Sequence, residues 1–187
     1  MSTQRIYSLP VEVTDWKFDG ATEIRFNWEY DDGSAALLDL YDKGKKQQWD
    51  ASTRLDWSLE LNPENPMELK DEALTIYDTD YWHRMTAKER AWLRRNLQAN
   101  QISQFMHGEQ GALIATAKIV GTVPDMNAKF YAATQVMDEA RHVELYQRFI
   151  KDKIGIYYPI NDDLATLLGE ALADGRWDYP YLGMQVL

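Results

Sequence analysis

The chain has 187 residues, 45% of them hydrophobic, which suits one globular domain with a substantial core and at most a small appendage. A formal charge of -10 argues against nucleic acid, whose phosphates demand a basic patch. Cysteine is absent, which excludes disulfides, thiolate metal sites, iron–sulfur clusters and cysteine nucleophiles; any metal must rest on carboxylates and the imidazoles of His83, His107 and His142.

The opening MSTQRIYSLP lacks an apolar core of signal-peptide length, and no apolar run approaches the roughly 20 residues of a membrane helix. A cytoplasmic protein without membrane contact is expected. Residues 23 to 30, EIRFNWEY, alternate Ile24, Phe26, Trp28 and Tyr30 with polar residues, the period of a strand or extended arm with one buried face. DDG at 31 to 33 turns it. Residues 1–33 are therefore expected to form an N-terminal extended or β arm, and residues 34–187 one helical domain.

Ser34 is placed to cap a helix running to about Leu55, with Leu37, Leu38, Tyr41 and Trp49 as its apolar side and Gly44 as a weak point. Pro63 and Pro66 mark a loop, and a short helix is expected over 71–84. Thr86 and Glu89 have capping-box spacing and open a proline-free stretch that lasts until GTVP at 121–124. Such a helix spans on the order of 50 Å, a length typical of bundles. Asp125 opens the next helix, which stops at Gly155 with Pro159 beyond. Two long helices with a short joint make an antiparallel hairpin. A shorter helix from about Asp163 to Ala173 follows, and Asp178 with Pro180 signals another start.

In the second long helix, Ala128, Ala132, Gln135, Glu139, His142, Tyr146 and Phe149 step alternately by four and three and form one stripe. On the preceding helix the matching stripe is Ile102, Phe105, Glu109, Ala112 or Leu113, Thr116 and Val120. Glu109 lies 14 residues before Val123 and Glu139 lies 16 after it, so both sit roughly 21 to 24 Å from the joint, side by side. Two carboxylates and an imidazole in an apolar interior repel and stay desolvated without a cation, and iron or manganese takes this donor mixture. That is the content of one half of a di-metal carboxylate site. A buried ion pair, or a face that water reaches, remains the alternative.

Asp138 and Arg141 point elsewhere on the helix, either pairing with a neighbouring segment to orient His142 or standing in solvent. Gln135 and Tyr146 flank the donors by one turn and either meet an oxidant or substrate or simply pack. His107 falls across the helix from Glu109, and His83 lies outside both stripes, so neither is a candidate ligand.

HGEQGALIATAKI at 107–119 followed by AATQVMDEARHVELYQRFI at 132–150 resembles the ferritin-like di-iron carboxylate oxygenases, a superfamily that includes bacterial multicomponent monooxygenase hydroxylases and ribonucleotide reductase small subunits. LYDKGKKQQWDASTRLDW at 40–57 is similar to the segment leading into such bundles. The resemblance implies an all-α, ferritin-like helical bundle and a two-iron cofactor, with manganese left open by donor type. Glu109 and His142 would be terminal ligands and Glu139 a bridge between the irons. It also implies dioxygen, a small organic substrate near Phe105, Ala112 and Gln135, and an external electron donor. Tyr146, four residues after the histidine, occupies the place of the radical-forming tyrosine of reductase small subunits. Ferritin-type iron oxidation and storage, or an inert structural subunit, are the other functions to weigh.

The superfamily repeats its Glu and Glu-x-x-His on a second helix pair, whereas no histidine follows His142 here. Three expectations follow: a truncated or separately encoded N-terminal half, a half-site completed across a symmetric dimer, or a degenerate relative. The first is favoured because WDYPYLGMQVL reads as the opening of the third bundle helix. A homo- or hetero-oligomer is expected, with the remaining ligands supplied by a second half or chain.

Overall fold

A computed structural model describes residues 22–26 and 33–186. Among these residues there is no strand, and the regular structure is helical: α1 Ala35–Lys46, α2 Ala51–Arg54, α3 Asp80–Arg84, α4 Ala87–Thr122, α5 Met126–Phe149, α6 Asp162–Ala173 and α7 Asp178–Val186. The architecture is an all-α, ferritin-like bundle. None of the described helices is long and apolar enough to cross a membrane.

The central pair is α4 and α5. At the start of α4 the capping box forms as its spacing predicts: Thr86 Oγ1 accepts from the Glu89 amide at 3.3 Å, and Glu89 Oε2 accepts from the Thr86 amide at 2.7 Å. The helix then runs unbroken for 36 residues, roughly 54 Å. It ends because Pro124 disfavours helical backbone at Val123, which is extended at φ -67 and ψ 137. Asp125 accepts from the Ala128 amide at 2.7 Å and starts α5. Lys129 reaches back over the joint to donate to the Val120 carbonyl at 2.8 Å, satisfying one of the acceptors that α4's end leaves open.

α1 lies along α5, with Tyr41 stacked on Phe130 at 5.4 Å between centroids, while α6 and α7 pack on α4. The hairpin is tied at its far end by the segment after α5. The last turn of α5 widens into a π-helical turn over Ile150–Ile154, stopped by Gly155 at φ 79. Ile150 and Ile154 are buried against Ala99, Ile102 and Tyr157, with Tyr146 and Phe149 alongside. Each isoleucine removed from water contributes about 1.5–3 kcal/mol. The following loop is stitched to α4: Ser103 Oγ accepts from the Tyr158 amide at 3.0 Å, and Gln104 donates to the Pro159 carbonyl at 2.8 Å.

Four expectations need correction. The helix begun at Ser34 does not reach Leu55: α1 ends at Lys46, and Asp50 starts a separate short helix by accepting from the Ser52 amide at 2.7 Å. Ser34 supplies no side-chain cap; instead its carbonyl accepts from Asn127 Nδ2 at 3.1 Å, which docks the start of α1 on α5. Residues 71–84 form a 3-10 turn at Asp71–Ala73 and then α3, because Asp78 takes a left-handed φ of 60 and Thr79 caps afresh through the Trp82 amide. In the arm, Ile24 and Phe26 are 69% and 86% exposed rather than buried on one face. It is anchored by a backbone bond from Arg25 N to the Gly121 carbonyl at 2.8 Å. Trp28, Tyr30 and the first two residues of the DDG turn lie outside the described residues.

Candidate metal centre

Glu109 comes from the middle of α4, and Glu139 and His142 from the middle of α5. Because both helices run without interruption to a sharp joint, the register set at Val123 carries undistorted to this depth. His142 Nδ1 stands 3.1 Å from Glu109 Oε2 and 3.1 Å from Glu139 Oε2. One ligand atom from each residue lies within 4.8 Å of the others, and this is the one group of three such side chains among the described residues.

The interior is not as dry as the stripes suggest. Glu139 is nearly buried, with an 11% exposed side chain, while Glu109 is 23% and His142 40% exposed. The imidazole therefore stands at the open edge of the hairpin. Burial raises the Glu109 carboxyl above the ordinary carboxylate range, and the facing Glu139 carboxyl adds to the rise. Burial pulls His142 down, but Glu109 and Glu139 outweigh it and the net shift is upward.

A single Nδ1–H cannot point straight at two carboxylate oxygens, so in the metal-free arrangement one of them is poorly served. A divalent cation removes this conflict, since it attracts both carboxylates and takes the imidazole lone pair. Donor atoms that share one ion through bonds of roughly 2.1 Å lie at most about 4.2 Å apart. The observed separations are within small side-chain movements of that span. The residues present fit such an ion.

The other expected residues divide into groups. Tyr146 is part-buried one turn beyond His142, its ring 6.0 Å from that of Phe105. Burial, and then the Glu109 charge, raises its phenol. Phe105 itself is 46% exposed, so this pair forms an open apolar wall beside the carboxylates. Gln135 is half-buried on α5. Ala112 instead lines a cavity of about 480 Å³ between α4, α6 and α7, together with Gly111, Leu164, Leu168 and Pro180. His107 bonds through Nε2 with the Tyr158 carbonyl at 3.0 Å, and His83 with Asp78 at 3.0 Å; both lie apart from the triad.

Asp138 and Arg141 are joined by an ion pair of 2.8 Å. Arg141 also donates to Gln48 Oε1, reaching the turn after α1. Trp49, beside that glutamine, lays its ring 5.8 Å from the His142 ring at an interplanar angle of 33°. Sequence reading placed Trp49 merely on the apolar side of the first helix. The contact spans 93 residues from one turn to one helix face, a separation that spacing within either segment does not signal.

A protein-family model described as P-aminobenzoate N-oxygenase AurF matches residues 31–173, a span holding all three converging side chains and Trp49. No curated protein and no solved structure matches the chain.

Proposed function

The chain belongs to the P-aminobenzoate N-oxygenase AurF family, a di-iron ferritin-like oxygenase family, and on that premise we propose that Glu109, Glu139 and His142 hold iron for oxidation of a small organic substrate by dioxygen. The observation that carries the reading is that two carboxylates on different helices meet the same imidazole nitrogen at 3.1 Å. The iron, when bound, supplies electrons to dioxygen and the oxidising power for the substrate.

The protein residues supply what surrounds that chemistry. Glu109 and Glu139 offset the cation's charge, and His142 offers a neutral nitrogen donor through Nδ1. Phe105 and Tyr146 give the substrate an apolar wall beside the centre, and the phenol hydroxyl of Tyr146 is a group on that wall able to hold or give a proton. The family's name points to an arylamine nitrogen as the atom oxidised, and p-aminobenzoate is the first substrate to offer. In such a reaction one oxygen atom enters the substrate and the other leaves as water, with electrons from an external reductant.

A complete two-iron site takes Glu and Glu-x-x-His twice. His83 and His107 are engaged elsewhere, and on this reading a second imidazole would be supplied by a second chain.

The test is anaerobic loading with ferrous iron followed by desalting and elemental analysis, with native mass measured on the same sample. Retained iron that disappears in Glu139→Ala and His142→Ala supports the reading. Equal retention in wild type and both variants overturns it.

A further inference from the structure

We infer that Trp49 is a positioning residue: packed on the His142 imidazole and held in place by the Gln48–Arg141–Asp138 chain, it fixes the ring's plane for metal binding. This rests on the reading of Glu109, Glu139 and His142 as the metal site.

An imidazole ligand is usually oriented by a hydrogen bond from the ring nitrogen that does not face the metal. In His142 both polar contacts fall on Nδ1, the nitrogen facing the carboxylates. Among the described residues no hydrogen bond reaches Nε2, and the flank of the ring is occupied by the Trp49 indole. Packing thus does the orienting that a hydrogen bond does elsewhere. It matters more here because the His142 side chain is 40% exposed and the ring would otherwise turn freely at the edge of the hairpin.

Trp49 can act this way because the turn that carries it is fixed on both sides. Before it, Gln48 donates to the Gly44 carbonyl at the end of α1 and accepts from Arg141 Nη2. Arg141 has only 12% of its side chain exposed and is held by Asp138. After it, the Asp50 carboxylate accepts from the Ser52 amide at 2.7 Å, and Trp57 Nε1 donates to the Ala51 carbonyl at 2.7 Å. The residues adjoining the donors in sequence, Asp138 beside Glu139 and Arg141 beside His142, thereby grip the segment that covers the imidazole. This accounts for the charged pair that flanks the motif: its work is to hold the α1–α2 turn against α5.

The experiment uses the full chain loaded anaerobically with Co(II), whose visible spectrum reports ligand geometry. Wild type, Trp49→Ala, Trp49→Phe, Arg141→Ala and His142→Ala are compared by equilibrium dialysis and absorption, with far-ultraviolet circular dichroism to check the fold. The expected result is a loss of Co(II) affinity of about 10- to 100-fold in Trp49→Ala, the range seen for outer-shell partners, with altered visible bands. Trp49→Phe, which keeps a ring, restores both toward wild type. Arg141→Ala reproduces the altered bands with the indole still present, and carries the test if Trp49→Ala does not fold. Visible bands unchanged in folded Trp49→Ala, or in Arg141→Ala where that variant stands in, overturn the inference whatever the affinity. If His142→Ala binds Co(II) as wild type does, it is the assignment of the metal centre that falls.

Discussion

His142 Nδ1 lies 3.1 Å from Oε2 of Glu109, a residue 33 positions earlier on the opposite rod of the hairpin. Glu109 and His142 both hold their protons more tightly than free side chains do, the first through burial and Glu139, the second because the two carboxylates outweigh its burial. A metal ion needs both groups deprotonated. Metal affinity is therefore expected to climb as pH rises toward the raised imidazole value and to level off above it. Calorimetry of metal binding near neutral pH in buffers of different ionisation enthalpy should show proton release, reduced in His142→Ala.

The same shifts give the metal-free fold a pH dependence of fixed sign. A raised imidazole contributes stability that is complete below 6.5 and is lost as pH rises through the folded value. A raised carboxyl works in the same direction, because above its ordinary 4.5 the unfolded chain sheds the proton while the folded one retains it. Glu109→Gln removes the buried charge and keeps the shape. At neutral pH its metal-free form should be the more stable by on the order of 1 kcal/mol, or about 2–4 °C in melting temperature for a chain of this size, while metal retention falls. Thermal melts with and without ferrous iron measure both halves of this exchange.

Thr86→Ala removes both acceptor and partner from the capping box at the head of α4. The expected cost is about 1 kcal/mol, read as a lower denaturation midpoint with unchanged slope. Metal affinity should not move, because the register that places Glu109 is set at the other end of the helix.

This cap is legible in the sequence, and so are the joint at Val123 and the shared depth of Glu109 and Glu139. All three follow from spacing within a few residues or from counting along unbroken helices. What was not legible depends on contacts distant in sequence. The break after Lys46 is held by Gln48 reaching Arg141, and within residues 35 to 55 the weak point at Gly44 hints at it without placing it. The exposed edge of His142 reflects what does and does not pack there from elsewhere, which no helical stripe records. Asp78 at φ 60 splits the helix expected over 71–84, an asparate conformation that local propensity permits but does not dictate.

Gly111 sits buried within α4, where alanine would ordinarily gain about 1 kcal/mol of helix propensity. A Cβ there would meet Leu168 of α6 at 2.3 Å from Cδ2, 2.7 Å from Cδ1 and 3.0 Å from Cγ. The whole end of the leucine has to withdraw, and overpacking of this kind costs about 1–3 kcal/mol. The clash thus outweighs the propensity, and Gly111→Ala is expected to be destabilising by about 1 kcal/mol. Leu168→Ala alone costs more, from lost burial on α4. In the double variant the new methyl enters the space the leucine leaves, so its cost should fall clearly below the sum of the two singles. Additive effects would show that the leucine swings aside freely and that the close approach of α6 to α4 does not depend on the glycine. Gly111 lies around the helix from Glu109, on the side facing α6, so metal retention in the folded single variant should stay at the wild-type level.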